Sequence, residues 1–320
     1  MTSIKTVVVS GDITTDTTWL GHTKYIISTT VRVKAGVTLN IYDTAQICFL
    51  NGRNFSLIFE PSSRLVAGVI TSYSVDSSFN AVTVANSGGW IFIGTRVPFN
   101  GTIPVNYSKF IINSLNTNYL GSSTTPSVSF LDINSWESSV NTLSVNNGLS
   151  GALFLFNASV NIRDLTLNNI TNVFVVVSVL VVYKKLTVSG GFLGTTSSFL
   201  LGTVTVKKCG TINITTPLLP SSINIATTDA RVPTTKPYAT PYVAKVGELK
   251  SKVIFYLTSL TERSLPQLNA NLDNLLGVDL SAIELLNEEN SNDEIDLNLN
   301  IELEDDDSDD VFKHFDELSD

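Results

Sequence analysis

Cutting a polysaccharide calls for clustered carboxylates, which serve as general acid and base or hold calcium, and lyases add a Lys or Arg base. Residues 1–242 contain only nine acids: Asp12, Asp16, Asp43, Glu60, Asp76, Asp132, Glu137, Asp164 and Asp229. No pair among them recurs at a common interval. The nearest pair is Asp132 with Glu137, bracketing Trp136 in LDINSWESS, where an aromatic ring could stack on a sugar. A solvent-facing loop around a packed Trp is the simpler reading, and no catalytic residue is assigned. Trp90 and Trp136 are the candidate carbohydrate contacts.

Nucleophilic triads fare no better. The chain has two histidines, His22 and His314; the first follows Gly21 in a turn and reads as structural, and the second lies in an acidic tail. Cys48 and Cys209 stand far apart without a CxxC or a neighbouring His, so they read as small buried hydrophobes, and neither a disulfide framework nor a metal site is expected. Phosphate-cradling signatures such as GxxxxGK[ST] or GxGxxG are absent, and no cofactor is expected. Six Asn-x-Ser/Thr sequons, at Asn54, Asn100, Asn106, Asn157, Asn169 and Asn213, are about what chance supplies in a chain this rich in Asn, Ser and Thr.

One charged feature does recur. Arg163, the pair Lys184 and Lys185, and the pair Lys207 and Lys208 fall at matching places 21 to 23 residues apart. Parallel stacking would set them ~4.8 Å apart along one edge, as a basic stripe. Such a stripe suits an anionic polymer, or a counter-charge supplied by the chain itself. The plainer alternative is a set of solvated turn residues that blunt edge association.

The counter-charge is at hand. Residues 1–242 carry 15 Lys/Arg against 9 Asp/Glu, whereas residues 243–320 carry 5 against 20, so a body of +6 bears a C-terminal part of −15. Between them Pro220, Pro233, Pro237 and Pro241 mark an extended connector over 220–242, after a body of residues 1–219. Val246, Leu249, Val253, Leu257 and Leu260 then recur at steps of 3 and 4, the period of an amphipathic helix, and a shorter helical pattern starts at Ser281. Residues 243–283 are therefore expected to cap the body or to oligomerise. Residues 284–320, with 16 acids, one Lys and the run DDDSDD, read as a disordered acidic tail.

The elements that must position these groups are strands. Charged residues make up 15% of the chain and hydrophobic ones 43%, with uncharged polar residues at the turns. The longest apolar stretch, Val173 to Tyr183, is β-branched and far short of the ~20 residues of a membrane-spanning helix. No membrane insertion is expected, and the opening residues hold no apolar run long enough for a classical signal peptide.

A repeat decides the fold class. FLFNASVNIRDLTLNN (Phe154 to Asn169), FVVVSVLVVYKKLTVSG (Phe174 to Gly190) and FLLGTVTVKKCGTINI (Phe199 to Ile214) share one layout of three short strands. Breaks of one or two residues suit three sides of a coil better than hairpins. Stacked coils pair each strand with its equivalent in the next. Upstream, LSVNN at Leu143 precedes LTLNN at Leu165 by 22 residues, and LTVSG at Leu186 follows by 21. Asn146 and Asn168 should then stack at one corner and bond along the axis. The expected fold class is all-β, a right-handed parallel β-helix with a short α-helical, acidic C-terminal extension.

The segment Gly11 to Ile41 resembles the opening of secreted bacterial β-helix proteins of the pectate-lyase-like superfamily. Thr18, Trp19, Tyr25, Val31, Val33, Gly36, Thr38, Leu39 and Ile41 match its layout. SGGWIFIGTRVPFNG, from Ser87 to Gly101, is similar to a Trp-Gly-Gly strand of that family, with Ile91 and Phe92 in place of glycines. The resemblance spans roughly residues 8–215 and implies the fold rather than one activity, because the superfold hosts lyases, hydrolases, tailspikes, adhesins and scaffolds.

The function expected is that of a non-enzymatic structural or surface-binding protein, with a virion component assembling through its C-terminal segment as one form of it. The alternatives are a polysaccharide lyase or hydrolase and a carbohydrate-binding adhesin. Partners expected are proteins met through the helical segment and acidic tail, an anionic polymer on the stripe, and further copies of the chain, as in a trimer. The Asn-, Ile- and Ser-rich usage resembles that of AT-rich genomes such as those of large DNA viruses. The setting expected is a virion or an extracellular surface.

Overall fold

The computed structural model describes residues 4–95, 106–149, 152–170, 173–189, 199–206, 211–214 and 223–224. Eighteen strands, β1 to β18 in chain order, account for almost all regular structure among them, with one 3-10 turn at Ser135–Glu137. Every ladder between strands is parallel; a single antiparallel bridge, Val75 to Ala81, closes the loop after one strand. The architecture is parallel β-sheet.

The ladders form three columns. The first runs through β2 (Thr17–Trp19), β5 (Thr38–Ile41), β8 (Arg64–Val75), β10 (Lys109–Asn118), β12 (Ser138–Asn146), β14 (Ser159–Asn168), β15 (Val173–Ser189), β16 (Phe199–Val206) and β18 (Ile223–Asn224). The second runs through β1 (Lys5–Val9), β3 (Thr23–Ile27) and β6 (Gln46–Leu50). It continues along the C-terminal halves of β8, β10, β12, β14 and β15 to β17 (Thr211–Ile214). The third runs through β4 (Val31–Val33), β7 (Leu57–Phe59), β9 (Trp90–Ile93), β11 (Val128–Leu131) and β13 (Leu153–Phe156), then the starts of β15 and β16.

The repeat read from the sequence is the pairing register. Phe154 faces Phe174, which faces Phe199, and Leu143 faces Leu165, which faces Leu186. The register passes the expected body boundary at residue 219, because Ile223–Asn224 pairs with Val204–Thr205 inside the stretch expected to be a connector. Two residues between Pro220 and Pro233 suffice for a ladder bond, since neither is a proline. The helical segment of residues 243–283, the acidic tail of 284–320, the lysines Lys207 and Lys208, and Cys209 lie outside the described residues.

Alternation within strands decides the inner face. In β14 the burial alternates so that Val160, Ile162, Leu165 and Leu167 point inward while Asn161, Arg163 and Thr166 point out. β9, β11 and β13 of the third column are buried on both faces. Their inner residues stack. Phe59, Phe92 and Phe130 are register neighbours, with ring centroids 5.2 and 5.1 Å apart and Phe110 5.2 Å from Phe92. Near the first strands Trp19 stacks on Tyr25 at 4.7 Å, and the Leu20 N–H donates to the Tyr25 hydroxyl.

The corners need left-handed backbone, which Asn and Asp tolerate best among side-chain-bearing residues. Tyr119, Asn147 and Asn169 take φ of 54, 52 and 50° at one corner, and Asp132 and Asn157 take 52 and 49° at another. Asn146 and Asn168 stack as expected, but the amide chain runs one residue further on. Asn169 Nδ2 donates to Asn147 Oδ1, and Asn147 Nδ2 to Asn118 Oδ1, each at 2.7 Å. Asn147→Gly keeps the corner and loses the ladder, an expected loss of about 1 kcal/mol. Asn147→Ala adds the left-handed penalty, for about 2 kcal/mol in all. Urea unfolding of both variants checks this, and equal losses would remove the backbone from the account.

Candidate functional site

The outer face of the first column is the open one. Register places Arg64 beside Lys109, Val66 beside Ile111, and Val69 beside Ser114, which continues through Thr142 and Asp164 to Lys185. Val66 and Val69 are 44% and 47% exposed, and Leu20 and Tyr42, one step past the pair Trp19 and Ile41, are exposed beside them. Between the two ends of this face Asn141 Nδ2 donates to Asn113 Oδ1 at 3.2 Å. The face thus carries apolar Val66, Val69 and Ile111 over β8 and β10, flanked by the cations Arg64 and Lys109; it is amide-rich over β10 and β12 and cationic over β14 and β15, where Lys185 begins the second column.

At the cationic end Arg163, Lys184 and Lys185 are exposed on adjacent strands; Lys207 and Lys208 of the expected stripe lie outside the described residues. A register shift between Ile162 and Asp164 sets Lys185 opposite Asp164 rather than Arg163, and Arg163 Nε lies 3.9 Å from Asp164 Oδ2. The nearest counter-charge is therefore Asp164, one residue from Arg163, a local neutralisation that the 21-residue spacing does not reveal. Three cations and one acid leave this end of the face positive.

The two candidate tryptophans part company. Trp90 is wholly buried, its ring between Phe49, Phe59 and Phe92 and its Nε1 donating to Ser72 Oγ at 3.0 Å, so it presents no face to a sugar. The correction follows from strand alternation: Trp90 is the register neighbour of Leu57 and Val128, both inward residues. Trp136 is half-buried, edge-on to Tyr107 at 5.0 Å, and the Arg64 guanidinium lies 5.8 Å from the Tyr107 ring.

The carboxylate pair is not a groove. Asp132 is buried and takes the Asn157 amide. Glu137 is fully buried, and its two oxygens accept the N–H groups of Thr95 and Asn134, each at 2.8 Å. Burial pushes the Glu137 carboxyl above the ordinary range, and the N–H groups of Asn134 and Thr95 pull it part of the way back. Lys109, whose Nζ donates to the Trp136 carbonyl at 3.0 Å, is pushed down by burial against the attraction of Glu137. A Cβ on Gly94 would lie 2.7 Å from Glu137 Oε2 and 2.1 Å from the Asp132 carbonyl, so a glycine is required where the clamp closes. Glu137 fastens a corner: its buried oxygens each hold a backbone N–H, the position of a structural clamp rather than of a group facing a groove.

Other ionisable groups have structural surroundings. Cys48 is buried beneath Phe79 and Tyr73, and burial pushes its thiol up to about 11. It is unreactive as a nucleophile at neutral pH. His22, exposed at a left-handed corner, donates its N–H to Thr44 Oγ1. Lys34 bridges Asp12 and Glu60 at 3.1 and 2.8 Å, a half-exposed group that adds little to stability. Among the described residues no three His, Cys, Asp or Glu side chains gather to hold a metal, and no helix is long and apolar enough to cross a membrane. Comparison with known proteins finds no matching family model, no matching curated protein and no matching solved structure.

Proposed function

We propose that the chain is a right-handed parallel β-helix serving as a non-enzymatic binding scaffold, whose first-column outer face takes a linear anionic polymer. Three parallel columns visited in a repeating order are what a coiled chain produces. Crossovers between parallel strands of one sheet are right-handed in about 98% of cases. The observation that carries the binding role is the group of three exposed cations, Arg163 on β14 and Lys184 and Lys185 on the adjacent β15. A linear polyanion can meet all three at once, whereas a compact anion meets fewer. Assembly into a homo-oligomer through residues 243–283 belongs to the same reading.

Heparin and polyphosphate binding, titrated against salt, tests it. The triple substitution Arg163→Ala, Lys184→Ala, Lys185→Ala should lower the slope of log affinity on log salt by about 2. It should also raise Kd tenfold or more at low salt. An unchanged slope would remove the polyanion from the proposal. The half-buried Trp136 beside Tyr107 favours a second reading, a carbohydrate contact. Trp19 and Trp90 are buried, so a shift in Trp fluorescence on adding oligosaccharides, abolished by Trp136→Phe, would support it.

A further inference from the structure

The open face has two unlike ends, and one segment of the chain matches both in the same order. At one end stand Arg163, Lys184 and Lys185; at the other, exposed Val66 and Val69 adjoin half-buried Ile111 across β8 and β10, with Arg64 and Lys109 at the margin. Isolated exposed apolar residues are ordinary, but a contiguous patch on a sheet face marks a surface that something covers. The C-terminal sequence from Asp305 to Phe315 reads DDDSDDVFKHF, five acids and then Val311, Phe312 and Phe315, with Lys313 and His314 between the two phenylalanines.

We infer that residues 305–315 of this chain dock lengthwise on the first-column outer face, acids over the cations and Phe312 and Phe315 over the valines. This rests on the reading of that face as the polyanion-binding face and makes the tail its internal competitor. The dimensions agree. Two to four strand steps of ~4.8 Å separate the cationic strands from the apolar ones, about 10–19 Å. Five extended residues, from the middle of the acid run to Phe312, span about 17 Å. The 81 residues from Asn224 to Asp305 do not limit reach, and tethering gives the acids a high effective concentration over the face. Screening by salt must loosen the acidic half.

The test uses the full chain and a full chain with Asp305, Asp306, Asp307, Asp309 and Asp310 each changed to Asn. Neutralising the tail should tighten polyphosphate binding about tenfold at low salt, a gain of about 1.4 kcal/mol by the tenfold rule, and the gain should vanish at high salt. Unchanged affinity, with polyphosphate still bound, overturns docking and leaves the binding face standing. If neither chain binds polyphosphate, the binding face fails, and crosslinking decides docking alone. Carbodiimide treatment of the unsubstituted chain should join Lys184 or Lys185 to an acid within 305–310 of the same molecule, at a yield independent of protein concentration. No such crosslink, or only crosslinks between molecules, overturns the inference. Phe312→Ser with Phe315→Ser should cut that yield severalfold; an unchanged yield overturns the lengthwise placement.

Discussion

Phe92→Ala should lower the unfolding free energy by about 3–5 kcal/mol, the range for truncating a fully buried aromatic ring. Phe92 is wholly buried, with ring centroids of Phe59, Phe110 and Phe130 within 5.2 Å and Trp90 at 6.0 Å. The backbone of β9 is held by ladders on both sides, to β7 and β11, so the walls of the cavity cannot collapse into it. Three stacked neighbours, Phe59, Trp90 and Phe130, are lost besides the buried area, each pair worth about 0.5–1.5 kcal/mol. Phe92→Leu, which keeps most of the volume, should lose about 1 kcal/mol. Urea unfolding followed by far-ultraviolet circular dichroism and by Trp fluorescence gives both values. In a stack whose units contact only their neighbours, a split between the two signals would show part of it melting alone. A loss under 1 kcal/mol for the Ala variant would show the ring stack is not a principal source of stability.

Glu137→Ala should cost about 2–4 kcal/mol, because it removes a fully buried side chain and leaves the part-buried N–H groups of Thr95 and Asn134 without their acceptor. The half-buried Lys109 loses its attracting charge as well. Glu137→Gln keeps the shape but turns an NH2 toward a backbone N–H, for about 1–2 kcal/mol. The pH dependence has a definite sign. Burial raises the carboxyl above its value in the unfolded chain, so the folded state binds the proton more tightly. That contribution is fully present below the ordinary glutamate value of about 4.3 and is lost as pH rises through the raised folded value. The stability of the unsubstituted protein relative to Glu137→Gln should therefore decline from acid toward neutral pH, as read from urea midpoints. A difference that grows with pH would contradict burial as the dominant influence.

Much of the pairing was legible in the sequence. In a parallel stack each residue's neighbour is its equivalent one repeat later, so spacing along the chain translates directly into contact. Phe154, Phe174 and Phe199 align for that reason, as do Leu143, Leu165 and Leu186. The translation fails where the spacing breaks. Arg64 and Lys109 are neighbours 45 residues apart, a span that contains the Val75–Ala81 loop and β9, and no repeat pointed to it. It fails again at the shift after Ile162, which brings Lys185 opposite Asp164.

The candidate site was legible in part. Arg163, Lys184 and Lys185 could be grouped from spacing and outward alternation alone. The apolar half of the same face could not, because Val66, Val69 and Ile111 lie upstream of the repeat that grouped the cations.

The sequence by itself determined the strand class and the register of β12 to β17, since these follow from a period in the chain. Only the tertiary structure decided which groups face outward and what they touch. It buried Trp90 in the aromatic stack and turned both oxygens of Glu137 onto backbone N–H groups. It left Val66 and Val69 open beside a cationic row. Burial is a property of the packed sheets: a side chain's exposure depends on residues many positions away that the parallel ladders bring beside it, and no local pattern records which those are.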